Sequence, residues 1–220
     1  LANLKFEQHD FEQSEHLLLK LLQSNPDHAG ACNDLARIYR TLGRIDEALA
    51  LQKKVMQLDP KAVLAASNYL FTLCNKPDLS AVQLTEEHLR LAEQYFPTDK
   101  QGCVAVNRSP ASGKIRIGYL SGDFRRHSVV YFIEGILQHH NYNQFELFCY
   151  STVSYQDDIT ARIKALPVNW RNVCGLGSKE ATRLIAGDNL DILVDLAGHS
   201  AKNRIDVVAQ HPARLVVSWI

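Results

Sequence analysis

Asp123, Arg125, Arg126 and His127 follow one another within a few residues, directly after the apolar run "IRIGYL", in the stretch "KIRIGYLSGDFRRHSVVYF" (114–132). An imidazole can take the proton of a hydroxyl near neutral pH, an effect typically worth about 10² to 10⁴ in rate, so His127 is the candidate catalytic residue. The neighbouring guanidinium groups of Arg125 and Arg126 would disfavour its charged form and keep a base available. Asp123 could accept a ligand hydroxyl or orient His127. Each has a plainer role as well: a histidine ahead of a helix can cap it or meet solvent, and Asp123 can serve as a helix N-cap or turn residue.

A second polar loop, "GHSAKNR", follows the apolar run "DILVDLA" (191–197) and carries Gly198, His199, Lys202 and Arg204. Asp195 lies inside the run itself, where a carboxylate is unusual enough to predict a specific partner. Lys202 and Arg204 could meet a phosphate, or could be ordinary exposed cations. "GLGSK" (175–179) lacks the spacing of a phosphate-binding loop. The remaining histidines, His139 and His140 included, show no ligand spacing, so no metal is expected.

These loops need a scaffold, and the second half of the chain supplies alternating elements. "IRIGYL", "FELFCYS", "DILVDLAG" and "RLVVSWI" are short β-branched and aromatic runs, with a weaker one in "NWRNVCG". "VVYFIEGILQHH", "QDDITARIKAL" and "KEATRLIAG" separate them as helices, which predicts a Rossmann-like α/β domain with a parallel sheet over 114–220. In such a sheet ligands bind outside the carboxyl ends of the strands, where both polar loops fall and could line one cleft.

The first half has another period. Pro26 and Pro60 are spaced by 34 residues, the tetratricopeptide repeat. Leu35, Tyr39, Gly43 and Ala48 stand between them at the repeat's contact, turn and crossing positions, whereas Cys32, Ala36 and Gln52 replace the usual Trp, Gly and Phe. Ala31, Leu35, Ile38, Tyr39 and Leu42 form one helical stripe; Ala48, Leu51, Val55 and Leu58 form another. Phe11, Ser14, Leu18 and Leu21 repeat the second-helix face one unit earlier, and a third unit breaks at "NKPDLS". An amphipathic helix over about 81 to 96 would close the array. The expected organisation is an α solenoid of repeats with a capping helix at 1–96, a linker at 97–113 and the α/β domain at 114–220.

Composition narrows the classes. Basic and acidic residues balance at 24 each, so no global field favours nucleic acid or an anionic membrane. Five scattered cysteines without a CxxC pair argue for a reducing, intracellular compartment. No apolar run reaches the length needed to cross a bilayer and no leader is evident, so a cytoplasmic location is expected. Leu1 at the start and the strand-like "VVSWI" at the end read as cut ends of a longer chain.

The order of repeats, then "SGDFRRHSVVYF", "FELFCYS", "DILVDLAGHSAKNRID" and "HPARLVVSWI", resembles the SPINDLY and O-linked N-acetylglucosamine transferase family, especially its bacterial members. The resemblance implies a glycosyltransferase of two Rossmann-like lobes, of which this chain carries the first. It maps the active-site histidine onto His127 and the glycine-histidine loop onto Gly198 and His199, with Asp123, Asp195 and Lys202 as further substrate-binding candidates. It implies a nucleotide-sugar donor, UDP-GlcNAc or GDP-fucose, held mostly by the second lobe, with no other cofactor, and protein acceptors bound along the repeats. Ser128 stands where animal members resemble His-Pro, and Arg214 where proline is expected. The first departure is nearer the plant SPINDLY type, which transfers fucose. An inactive interaction scaffold is the alternative of another class.

Overall fold

A computed structural model describes residues 1–98 and 113–219. They form two compact units, Leu1–Phe96 and Pro97 onward. Most of the expected linker, and Cys103 with it, lies outside the described residues.

The first unit is all helical: α1 (Ala2–Glu7), α2 (Phe11–Ser24), α3 (Ala29–Thr41), α4 (Ile45–Leu58), α5 (Val63–Leu73) and α6 (Ala81–Tyr95). The two predicted stripes supply its core. Ala31, Leu35, Ile38, Tyr39, Ala48 and Val55 are buried, whereas Leu42 and Leu58 at the helix ends, and Leu21 on α2, stay exposed. Gln52, where the repeat usually has Phe, is buried and donates from Nε2 to Thr72 Oγ1 at 2.9 Å, so a polar pair replaces an aromatic contact. The capping helix α6 starts on Ser80, whose hydroxyl accepts from Gln83 N while the Gln83 side chain returns to Ser80 N.

The second unit alternates strand and helix: β1 (Ile115–Ser121), α7 (Ser128–His139), β2 (Phe145–Ser151), α8 (Asp158–Lys164), β3 (Val168–Asn172), α9 (Ser178–Gly187), β4 (Ile192–Asp195), α10 (Ile205–Val208) and β5 (Leu215–Ser218). The weak run in "NWRNVCG" is β3. All the pairings are parallel and the order is β3-β2-β1-β4-β5. Alternate residues of β1 and β2 feed opposite cores, as a sheet covered on both faces requires. Ile117, Tyr119, Leu147 and Cys149 pack with Val129, Ile133 and Leu137 of α7 and Ile163 of α8. Leu120, Phe148 and Tyr150 pack with Ala181 and Ile185 of α9 and Val207 of α10.

The strands end in a shared local device. Ser121 Oγ accepts from Asp123 N (2.9 Å), Ser151 Oγ from Val153 N (3.2 Å), Asn172 Oδ1 from Cys174 N (3.0 Å) and Asp195 Oδ1 from Ala197 N (3.2 Å). A short polar side chain at the ends of β1 to β4 thus satisfies an amide that the sheet cannot, and turns the chain into its loop.

Candidate active site

The order β3-β2-β1-β4-β5 reverses direction between β1 and β4, which is where a crevice opens in a doubly wound sheet. Leu120 of β1 pairs with Asp195 of β4, so the loops that follow both strands leave the same carboxyl rim side by side. They also touch. A Cβ on Gly122 would stand 2.7 Å from Lys202 Cβ and 3.3 Å from Lys202 O, and Thr152, just past β2, donates from Oγ1 to that same carbonyl at 3.0 Å. Three strand ends converge on one point.

His127 is the N-cap of α7, and its side chain is 38% exposed. Its Nδ1 lies 3.4 Å from Val129 N, a donor, and 3.6 Å from Asp123 Oδ2, an acceptor. One nitrogen cannot serve both at once. With Nδ1 bare it accepts from the amide and Nε2 carries the proton; with Nδ1 protonated it faces the carboxylate and Nε2 becomes the free base. The same site therefore holds a hydrogen-bond donor or a proton acceptor, chosen by tautomer.

Asp123 is buried and is not the helix cap. Arg125 Nη2 donates to its Oδ1 at 3.0 Å, leaving Oδ2 toward His127. Arg126 instead reaches Asp158, with Nη2 at 3.1 Å from Oδ1. Both guanidinium groups expected to act on the imidazole are thus neutralised by carboxylates.

Asp195 is fully buried. Its oxygens accept from Ala197 N, from Gly198 N at 2.8 Å and from Ser218 Oγ at 3.1 Å. Burial pushes its carboxyl up, while those donors pull it down. The predicted partner exists, and it is the loop itself: from its buried position Asp195 shapes the Gly198 turn. Gly198 takes φ +51°, the left-handed region that the turn demands. His199 follows it, half-buried in the same loop.

Lys202 is exposed at φ +62°, and its backbone carbonyl, not its ammonium, is what joins the loops. Arg204 is spent: Nε and Nη2 meet Asp206 at 3.1 and 3.2 Å and Nη1 meets Val173 O at 3.3 Å, so it is not a phosphate contact. The helix expected after this loop is the single turn α10.

Sequence reasoning missed what fastens the His127 loop. Thr160 of α8 is fully buried and donates from Oγ1 to Phe124 O at 2.7 Å, while Asp157 Oδ2 accepts from Arg126 N at 2.7 Å. Asp157 also caps α8. Backbone donation from Arg126 and then Thr160 holds its carboxyl below the usual range. The only advance signal was the capping pattern Asp157 to Thr160, which says nothing of a partner over 30 residues away. Thr160→Val is expected to leave the Phe124 carbonyl unsatisfied and cost about 1–3 kcal/mol, whereas Thr160→Ser should retain most of it. Trp170, 5.6 Å from the Phe124 ring, offers the fluorescence probe for the denaturation midpoint; equal midpoints for all three proteins would refute the fastening.

Comparison with known proteins fits this geometry. The family model for glycosyl transferase family 41 matches residues 97–220, more than half of the chain. The chain belongs to glycosyl transferase family 41. A tetratricopeptide repeat model matches residues 5–68. Among family relatives, the rice (Oryza sativa subsp. japonica) protein named "Probable UDP-N-acetylglucosamine--peptide N-acetylglucosaminyltransferase SPINDLY" is 33% identical over 172 residues, covering 76% of this chain and 19% of the relative. The Arabidopsis thaliana protein of the same name is 33% identical over 175 residues, covering 74% and 18%. A solved mutant O-GlcNAc transferase of Thermobaculum terrenum superposes with a TM-score of 0.89 at 28% identity, over 100% of this chain and 42% of that one. The chain therefore spans about a fifth of the length of the curated relatives it matches (19% for rice). Within family 41 it corresponds to repeats followed by the first catalytic lobe. Among the described residues no helix is long and apolar enough to cross a membrane.

Proposed function

We propose that this chain is the repeat region and first catalytic lobe of a protein O-glycosyltransferase that moves N-acetylglucosamine from UDP-GlcNAc to serine or threonine with inversion. The observation that carries the reading is the convergence of the His127 and His199 loops at the β1/β4 switch point, in a member of family 41. In the reaction the acceptor hydroxyl forms a bond to the anomeric carbon as the bond to the diphosphate breaks. The hydroxyl proton passes to Nε2 of His127 while Nδ1–H is held by Asp123, whose other oxygen Arg125 occupies. The second lobe supplies the nucleotide pocket, and fixed dipoles and cations meet the leaving charge without a metal. Protein acceptors lie along the repeats, as solenoids bind extended partners.

Ser128 after His127 favours a second reading, GDP-fucose as donor. Titrating UDP-GlcNAc and GDP-fucose into the protein joined to a second lobe, with chelator present, separates the two. Transfer from UDP-GlcNAc is expected to persist in chelator; fucose transfer alone would move the assignment. Binding of neither donor would leave a scaffold. Residues 1–220 by themselves are expected to give no product, because the nucleotide pocket is assigned to the other lobe.

A further inference from the structure

Arg40, near the end of α3, is half-buried with its guanidinium carbon 4.5 Å from the centre of the Phe71 ring on α5. Other partly buried arginines among the described residues have acceptors: Arg37 meets Asn3 and Asp34, Arg44 meets Glu15 and Glu47, and Arg116 meets Glu146. Arg40 meets no carboxylate or carbonyl oxygen among the described residues. Burial and the neighbouring Arg37 both push its guanidinium down from the usual arginine range. Its guanidinium nitrogens are not among the buried unpartnered atoms, so they reach solvent, and stacking on an aromatic ring leaves the planar fork of donors open to a ligand.

The surroundings suit an extended chain. Leu64, Asn68 and Phe71 recur at helical spacing on one side of α5, with Leu64 66% and Phe71 37% exposed. Asp34, earlier on α3, pairs with Arg37, and Asp46 on α4 pairs with Lys76.

We infer that the face of α3 and α5 around Arg40 docks an internal acidic segment of a protein, a glutamate or aspartate side chain pairing with Arg40 while apolar groups rest on Leu64 and Phe71. The inference builds on the reading of the repeats as the acceptor platform and names the acceptor's chemistry: hydroxyl residues within acidic sequence. The pairing is charge-assisted and bidentate, so it should confer discrimination of about tenfold over an uncharged isostere and weaken with salt.

Fluorescence anisotropy on the 220-residue chain tests this without donor or turnover, so failure of the glycosyltransferase reading would not affect the outcome. The probes are a labelled Ser/Thr peptide bearing several Glu, its Gln counterpart and the Glu peptide with an amidated C-terminus. The Glu peptide is expected to bind about tenfold tighter than the Gln peptide, with amidation having no effect and the preference fading in high salt. Arg40→Gln should abolish the preference and Arg40→Lys should restore part of it. Arg183→Gln, at an exposed arginine on α9, should leave it intact. Equal binding of the Glu and Gln peptides to the unmodified chain, or binding lost on amidation, would overturn the inference.

Discussion

Replacing His127 by alanine in the protein joined to a second lobe is expected to cut sugar transfer by about 10² to 10⁴, with the fold retained. Because His127 also caps α7 through Nδ1, alanine should cost about 1 kcal/mol of stability in addition. His127→Asn separates the two roles. Asparagine is a good N-cap but has no imidazole, so its melting behaviour should match the parent while its turnover falls as far as alanine's. Full turnover in the asparagine protein would reduce His127 to a cap. Asp123→Asn is expected to give an intermediate result in the same scheme, since in the proposed mechanism the carboxylate, 3.6 Å from Nδ1, orients the imidazole without touching the reacting atoms.

Gly122→Val is expected to lower transfer on the order of 10², since misplacing catalytic groups by about 1 Å carries that penalty. The added carbon would stand 2.7 Å from Lys202 Cβ, 3.0 Å from Thr152 Oγ1 and 3.3 Å from the Lys202 carbonyl. That carbonyl is backbone already bound to Thr152, so the obstruction cannot be relieved by swinging a side-chain tip away. The loops after β1 and β4 must separate, carrying His127 from His199. The overpacking itself should cost about 1–3 kcal/mol. Steady-state kinetics beside a thermal melt reads both quantities, and a folded Gly122→Val protein with unchanged kcat/KM would show that the close approach of the loops is dispensable.

Periodicity carried much of the architecture. Stripes such as Ala31, Leu35, Ile38 and Tyr39 and short runs such as "FELFCYS" announce helix pairs and buried strands, because the apolar period follows directly from backbone geometry. The candidate site was legible only as two polar loops after two strands. What a side chain at a loop would meet within the chain was not. Asp195 and Arg204 have residue types that suit a sugar or phosphate, yet their partners are the loop amides, Ser218, Asp206 and Val173. A buried polar group takes whichever partner the fold delivers, and in these cases the fold delivered groups from its own chain.

By itself the sequence determined that repeats precede a parallel α/β lobe and that His127 and His199 each follow a strand, since both statements rest on local pattern. Only the tertiary structure decided that β1 and β4 are neighbours, that Thr160 and Asp157 fasten the His127 loop, and that Arg40 stacks on Phe71 with no acid of its own among the described residues. The reason is physical: strand order and cross-chain hydrogen bonds join residues tens of positions apart, and no local preference records which distant partner will arrive.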